Sequence, residues 1–353
     1  MGTLKVFFIV CAVLTVIAGS MVLKTLRDAG EFKKIEPHFK GQCKVVTGVA
    51  SSEDITIHPQ TVMAFISSDD RRPLFRGGRG RQGAIFAYDL KAVEPQLVNL
   101  TGDFTHEFHP HGIGLFVGQD GDTSLFVVNH RTDGHFVEIF EFRNNGLVHR
   151  ESIGGDLMHS PNDVVPVGPR SFYVTNDHGN SSRLGRTLEE YLQLARSYVL
   201  YYDGNRFRKA AEGLAYANGI NMSRDGKILF VAATVGRKVY VYERDKGTGD
   251  LKLLQTIYLG TGVDNIEVDE KGHLWIGAHP KLLTFVTYSK NHDELSPSQV
   301  LRVVIQGSGS YQADEIYLSE GRELSGASVG AVFQDTLLIG SVFDPRFLLC
   351  KYQ

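Results

Sequence analysis

A short motif, in which one or two polar residues open an apolar strand, recurs six times along the chain and restricts its fold more tightly than any other feature. Its fullest form is Val263-Asp264-Asn265-Ile266-Glu267-Val268. The others are Glu53-Asp54-Ile55-Thr56-Ile57, His111-Gly112-Ile113-Gly114-Leu115, Asn162-Asp163-Val164-Val165, Asn218-Gly219-Ile220-Asn221-Met222 and, weakest, Ala327-Ser328-Val329-Gly330-Ala331. A second apolar run follows each, such as Leu125–Val128 or Leu274–Ile276. A third run rich in Tyr and Phe closes each unit: Ala84–Tyr88, Val137–Phe142, Val199–Tyr202, Val239–Tyr242, Thr284–Tyr288 and Phe347–Leu349. Short strands broken by Gly, Asp and Asn describe an all-β protein. Six units of three or four strands predict a six-bladed β-propeller over residues 41–353. A β-sandwich with accidental spacing is the alternative, and the same three-part order in every unit ranks it lower.

Residues 1–40 are a separate hydrophobic signal or anchor segment with a linker. Val6 to Leu23 is apolar throughout and long enough to span a bilayer, so it is either a cleaved signal, with Ala18, Gly19 and Ser20 as small residues at a cut site, or an uncleaved signal-anchor. Lys24, Arg27, Lys33 and Lys34 favour a cytoplasmic C-terminal side. Cysteine usage points the other way, because Cys43 and Cys350 lie near the two ends of the globular part, where a bridge would tie first strand to last in an oxidising compartment. Two unrelated buried thiols are the alternative. Sequons at Asn99, Asn180 and Asn221 suit a luminal or extracellular body. The balance predicts the secretory pathway, with the anchor retained. A net charge of −3 with both signs dispersed gives no electrostatic case for nucleic acid.

One segment breaks the β pattern. Thr187 to Val199 carries apolar residues at helical spacing, with Thr187 and Glu190 placed as a capping box, and predicts an inserted amphipathic helix that packs as a lid or lies on a membrane. The run Arg71 to Arg81 reads as a flexible basic loop at a blade edge.

Innermost propeller strands all run the same way along the axis, so the opening polar residues converge at one tunnel mouth. Glu53, Asp54, Asp163 and Asp264 are then carboxylates with no basic residue at equivalent positions, which implies a cation. A set mixing carboxylates with Asn162, Asn218 and Asn265, and free of cysteine, suits Ca2+ before Mg2+ and either before Zn2+. His111 opens the second unit and His130 ends the strand paired with it, so two imidazoles meet beside the cation as a general-base pair.

The stretches Phe108-His109-Pro110-His111-Gly112-Ile113, Val127-Val128-Asn129-His130, Pro161-Asn162-Asp163-Val164, Thr175-Asn176-Asp177-His178, Ala217-Asn218-Gly219-Ile220-Asn221, Val263-Asp264-Asn265-Ile266 and Gly340-Ser341-Val342-Phe343 resemble the serum paraoxonase/arylesterase family. The resemblance runs from about Gly41 to Tyr352. It implies two calcium ions: a catalytic one on Glu53, Asn162, Asn218, Asp264 and Asn265, and a structural one on Asp54, Asp163 and the Ile113 carbonyl. It further implies a His111–His130 dyad, a Cys43–Cys350 disulfide, and a pocket wall of Tyr216, Val286, Ser328 and Val342 suited to a lactone or aryl ester. Membrane or lipid contact through the N-terminal segment and the inserted helix is also implied. Two departures stand out: Ala278 replaces a cysteine common in relatives, and the basic loop from Arg76 has no counterpart, which bears on the substrate entrance. The functional expectation is calcium-dependent hydrolysis of lactones and aryl esters. The alternative is a membrane-anchored accessory or chaperone protein that keeps calcium for structure only.

Overall fold

A computed structural model describes residues 2–75, 80–306 and 309–352. Six antiparallel sheets form the expected six-bladed propeller, their innermost strands beginning at Asp54, Pro110, Pro161, Ala217, Gly262 and Ala327. Blades one to four are consecutive in sequence. Blade five gains an outermost strand, His38–Phe39, from the N-terminal segment. Blade six is assembled from both ends of the chain: Gly41–Thr47 pairs antiparallel with Arg346–Tyr352, and Cys43 lies opposite Cys350, to which it is disulfide-bonded.

Alternation along each strand gives two apolar faces, so the core is divided among the seams between blades. Phe126, Val128 and Ile139 of blade two pack on Phe172, Val174 and Leu200 of blade three. Equivalent clusters fill the remaining seams, ending with Ile55, Ile66 and Tyr88 of blade one against Val329, Leu338 and Phe347 of blade six. Every blade is therefore buried against two neighbours, and the ring closes by face-to-face packing with only short inner strand edges lining the axis.

Three local expectations are corrected. Thr284–Tyr288 is not a strand: it lies in the helix Leu282–Lys290, and Ser298–Ile305 is the third strand of blade five. The cause is remote, since Glu31 accepts hydrogen bonds from the Leu283 and Thr284 amides at 2.8 and 3.2 Å and so caps a helix start whose own preceding residue, Lys281, supplies no side-chain cap. The inserted helix runs Arg183–Tyr191 rather than Thr187 to Val199. Ser182 is its N-cap, accepting from Gly185 N, while Thr187 is interior and donates to Arg183 O. Ser197–Tyr202 is already the third strand of blade three. The basic run is not peripheral either. Arg71–Phe75 is a short helix, Arg71 is buried, and Arg72 stacks on the Tyr288 and Phe343 rings while donating to Phe343 O at 2.9 Å. Residues 76–79 of that run, with their two glycines, lie outside the described residues.

The helix Gly2–Asp28 is apolar enough and long enough to cross a membrane, and none of its described residues packs inside the fold. Its last turn docks on the propeller. Asp28 pairs with Lys24 at 2.7 Å and with Arg237 of blade four at 2.9 Å, and accepts from Gln193 beside the inserted helix. Lys33 donates to Gly260 O and Lys34 pairs with Glu36. Three of the four basic residues Lys24, Arg27, Lys33 and Lys34 are thus locally engaged.

Candidate active site at the tunnel mouth

The recurring motif works through a distortion that alternation alone does not reveal. In blades two to five the pairing of first and second strands slips by one residue at the polar positions, between Pro110 and Ile113, Pro161 and Val164, Ala217 and Ile220, and Val263 and Ile266. Each slip is a β-bulge, which re-aims side chains so that two consecutive residues need not face opposite ways. Asn162 and Asp163, or Asp264 and Asn265, are consequently both buried about the axis. Glycine in the motif serves close approach. A Cβ on Gly112 would sit 2.3 Å from Asp163 Oδ1, and one on Gly219 would sit 2.5 Å from Asp264 O.

Five oxygen-bearing side chains meet at the mouth, and their hydrogen bonds show which way each points. Asn265 Nδ2 donates to Glu53 O at 3.0 Å, Asn218 Nδ2 to Thr234 Oγ1 at 3.0 Å, and Asn162 Nδ2 to Asp177 Oδ2 at 3.4 Å. With the amide nitrogens held, the amide oxygens face the axis. Glu53 Oε2, Asn162 Oδ1, Asn218 Oδ1 and Asn265 Oδ1 are buried with no hydrogen-bond partner. Leaving such acceptors unpaired costs roughly 1–3 kcal/mol each, so the four fit a ligand that accepts oxygen lone pairs. The fifth, Asp264, accepts from His279 Nε2 at 2.8 Å, yet burial outweighs that bond and holds its carboxyl above the usual range. Burial also pushes Glu53 upward, but the His111 and Arg71 charges and the Asn265 amide outweigh it, and Glu53 sits below its ordinary value. Two carboxylates with three amide oxygens are a hard-cation donor set, and among the described residues no cluster of three His, Cys, Asp or Glu side chains offers a softer one.

Deeper in the tunnel, Asp54 and Asp163 bridge neighbouring blades. Asp54 accepts from Ile55 N and Ile113 N at 2.9 and 2.8 Å, and Asp163 accepts from Val164 N and Ile220 N at 2.7 Å each. Burial, then the charge of Asp163, holds Asp54 well above the carboxylate range, and burial does the same to Asp163. Such a pair fits a second cation. Beneath it a cavity of about 390 Å3 opens at the inner end, lined by Asp54, Asp163, Asn221 and Glu267. Burial pushes Glu267 up to about 8.

His111 and His130 meet as expected, Nδ1 to Nε2 at 2.9 Å. His111 Nε2 lies 3.4 Å from Glu53 Oε1, beside the oxygen ring. Asn129 makes this contact possible: fully buried, it accepts from His109 N at 2.8 Å and donates to Glu107 O and Glu138 Oε1, pinning the strand end before His130. Burial, then the His111 charge, drives His130 well below an ordinary imidazole.

The expected pocket residues divide. Val342 packs with Phe343 and Tyr288, Val286 shares the helix carrying Tyr288, and Tyr216 meets the His178 ring edge-on. Tyr216 also holds φ 65, strain of the kind that clusters at functional sites. Ser328 is fully buried and donates to Glu53 O at 2.6 Å, so it braces a ligand strand from behind. Sequence reasoning passed over several participants. Asp69 accepts from His109 at 3.0 Å, and Asp177 couples His178 to Asn162. Glu190, from the inserted helix, holds His178 from the other side at 2.9 Å. The adjacent Asp177-His178 was visible in sequence; its partner Glu190 was not. Of the sequons, Asn221 spends its Nδ2 on Ile266 O at 2.8 Å inside the tunnel, while Asn99 is exposed.

A family model described as Arylesterase matches residues 31–352. Human serum paraoxonase/arylesterase 1 is 36% identical over 328 residues, covering 90% of this chain and 91% of that protein. Human serum paraoxonase/lactonase 3 is 34% identical over 343 residues, covering 95% and 96%. Among solved structures, a luciferin-regenerating enzyme superposes with TM-score 0.56 at 11% identity, covering 88% of this chain and 95% of that one. A calcium-binding regucalcin from Agrobacterium tumefaciens gives 0.53 at 14%, covering 90% and 98%. At those identities the structural matches speak for the fold alone.

Proposed function

Because the chain belongs to the arylesterase family, we propose that it hydrolyses esters and lactones at the tunnel mouth, with one calcium ion held there and a second held below. The observation that carries this reading is the set of four buried, unpartnered oxygens beside a hydrogen-bonded histidine pair. Glu53, Asn162, Asn218, Asp264 and Asn265 hold the upper ion; Asp54, Asp163 and the Ile113 carbonyl hold the lower. A calcium ion held by the upper set would supply the positive charge that polarises an ester or lactone carbonyl.

The chain's own groups do the rest. His111 Nε2 takes the proton of the attacking water, and His130, kept neutral by burial, fixes the His111 tautomer through the 2.9 Å bond. Tyr216, Val286 and Val342, with the neighbouring Tyr288 and Phe343, form a largely apolar wall for the acyl and aryl parts of the substrate. No serine nucleophile is required: the one Gly-x-Ser-x-Gly match, Gly326 to Gly330, opens a strand rather than a strand-to-helix elbow, and its Ser328 is fully buried and donates to Glu53 O. Residues 41–353 are the catalytic body and residues 1–40 its anchor. The apolar helix and the disulfide support a luminal or extracellular body tethered to a membrane. Leu184, Leu188 and Leu192, exposed near the anchor's docking point, support a lipid contact there. Asn99 is the proposed glycan acceptor, because Asn180 spends its Nδ2 on Glu189 as Asn221 does on Ile266 O.

His111→Gln tests the enzymatic reading, since glutamine keeps a hydrogen bond to His130 but is no base near neutrality. Lactone and aryl-ester hydrolysis is expected to fall by about 10²- to 10⁴-fold with folding retained. Full activity in that variant sinks the dyad, and a biological role that survives the loss of hydrolysis marks a scaffold instead.

A further inference from the structure

The histidine pair does not end at His130. His130 Nδ1 lies 3.0 Å from Nδ1 of His135, with the rings edge-to-face at 86° and their centroids 4.9 Å apart. His135 sits across the turn joining the second and third strands of blade two, in direct register with His130. Both rings are partly exposed, but His130 has each nitrogen engaged, Nε2 by His111 and Nδ1 by His135, so a proton leaving it away from His111 passes to His135. Burial, then the charges of Arg186 of the inserted helix and of His111, holds His135 below an ordinary imidazole, while Asp177 favours the charged form. Hydrogen bonding to the His159 backbone favours it too. Because Nδ1 is engaged by His130, Nε2 is the nitrogen left to exchange a proton.

We propose that His135 is the outer member of a three-imidazole relay that carries the proton taken from the attacking water out to solvent. The inference rests on the ester-hydrolysis reading and on His111 as base. His135 touches none of the proposed ion ligands.

Two tautomeric arrangements satisfy every hydrogen bond in the chain. In the first, His111 Nδ1–H donates to His130 Nε2, His130 Nδ1–H donates to His135 Nδ1, and His135 carries its own proton on Nε2, leaving His111 Nε2 unprotonated and basic. In the second, all three donors are reversed. The reaction converts the first into the second. The water oxygen bonds to the carbonyl carbon, its proton goes to His111 Nε2, each inner N–H passes one step along, and the Nε2 proton of His135 leaves to solvent. The carbonyl π electrons move onto the oxygen as the oxyanion. When the tetrahedral intermediate collapses, the leaving oxygen takes a proton, either from water or by the relay running in reverse. One proton enters and one leaves, so no charge rests on His130, where burial opposes it. A direct dyad would have to store that proton beside the oxygen ring until the site opened.

The full chain in detergent is assayed on an aryl ester and a lactone in dilute buffer, as wild type, His135→Gln and His135→Ala. Glutamine keeps a hydrogen-bond partner for His130 but cannot pass a proton; alanine does neither and leaves space. Both variants are expected to lose kcat by about tenfold with KM within about twofold. Added imidazole is expected to restore kcat in the alanine variant in a saturable manner, while the wild type does not respond. A wild-type kcat in His135→Gln overturns the relay, because a prop then suffices. A low kcat that imidazole does not restore, with altered KM, also overturns it, showing a purely structural role. His111→Gln run in parallel separates the readings: full activity there overturns the dyad and the relay together, whereas inactivity there with an undiminished His135→Gln overturns the relay alone.

Discussion

Blade six pairs a strand near the start of the propeller with the C-terminal strand, which gives its disulfide unusual leverage. Replacing Cys43 and Cys350 together by Ala removes a crosslink spanning 307 residues of sequence but leaves the seven-residue ladder between Gly41–Thr47 and Arg346–Tyr352. In the chain-entropy model a loop of that length confers about 5–6 kcal/mol, through loss of freedom in the unfolded chain. Urea denaturation of the full chain in detergent, followed by tryptophan fluorescence, reads the difference. Trp275 reports well, because it is buried in the seam between blades five and six. With a urea slope of about 3 kcal/mol per molar for a chain of this size, the midpoint is expected to drop by roughly 2 M. A smaller drop with an unchanged slope indicates an unfolded state already compact around the missing bridge. An unchanged midpoint refutes the argument that ring closure depends on this bond.

Three further outcomes follow from the site's surroundings. The Asp177 and Glu190 carboxylates around His178, set against its burial, raise it to about 9, above the unfolded value of about 6.5. Its contribution, roughly 3 kcal/mol, is therefore complete below about pH 6.5 and lost as pH rises through 9, and His178→Gln is expected to flatten stability against pH across that window. Gly112→Ala and Gly219→Ala drive a methyl to 2.3 Å from Asp163 Oδ1 and 2.5 Å from Asp264 O, so each is expected to cost about 1–3 kcal/mol in thermal denaturation. Glu31→Ala uncaps the helix Leu282–Lys290 and is expected to cost about 1 kcal/mol, with faster amide exchange at Leu283 and Thr284.

The propeller was legible because its repeat is carried by residues with a direct physical role: the polar openers face the axis, and the apolar runs after them fill the seams. Membership of the oxygen ring was legible for the same reason. Its geometry was not. Strict alternation would send Asn162 and Asp163 to opposite faces, and only the bulge between Pro161 and Val164 brings both to the axis. Thr284–Tyr288 reads locally as a strand, and it is helical because of a carboxylate some 250 residues earlier in the chain, beyond any local pattern. The inserted helix was recognised by its apolar spacing but placed too late, because Thr187 with Glu190 imitates a cap that Ser182 actually supplies. His135 carried no signal in sequence, since only the pairing of the second and third strands of blade two sets it beside His130.

Calcium dependence is tested most directly by assaying the purified full chain on an aryl ester and a lactone before and after chelation, with bound metal measured in each sample. The account predicts that hydrolysis disappears as calcium is removed and returns with added Ca2+ but not with Mg2+ at equal concentration. Undiminished hydrolysis in a sample shown to be free of calcium would contradict it.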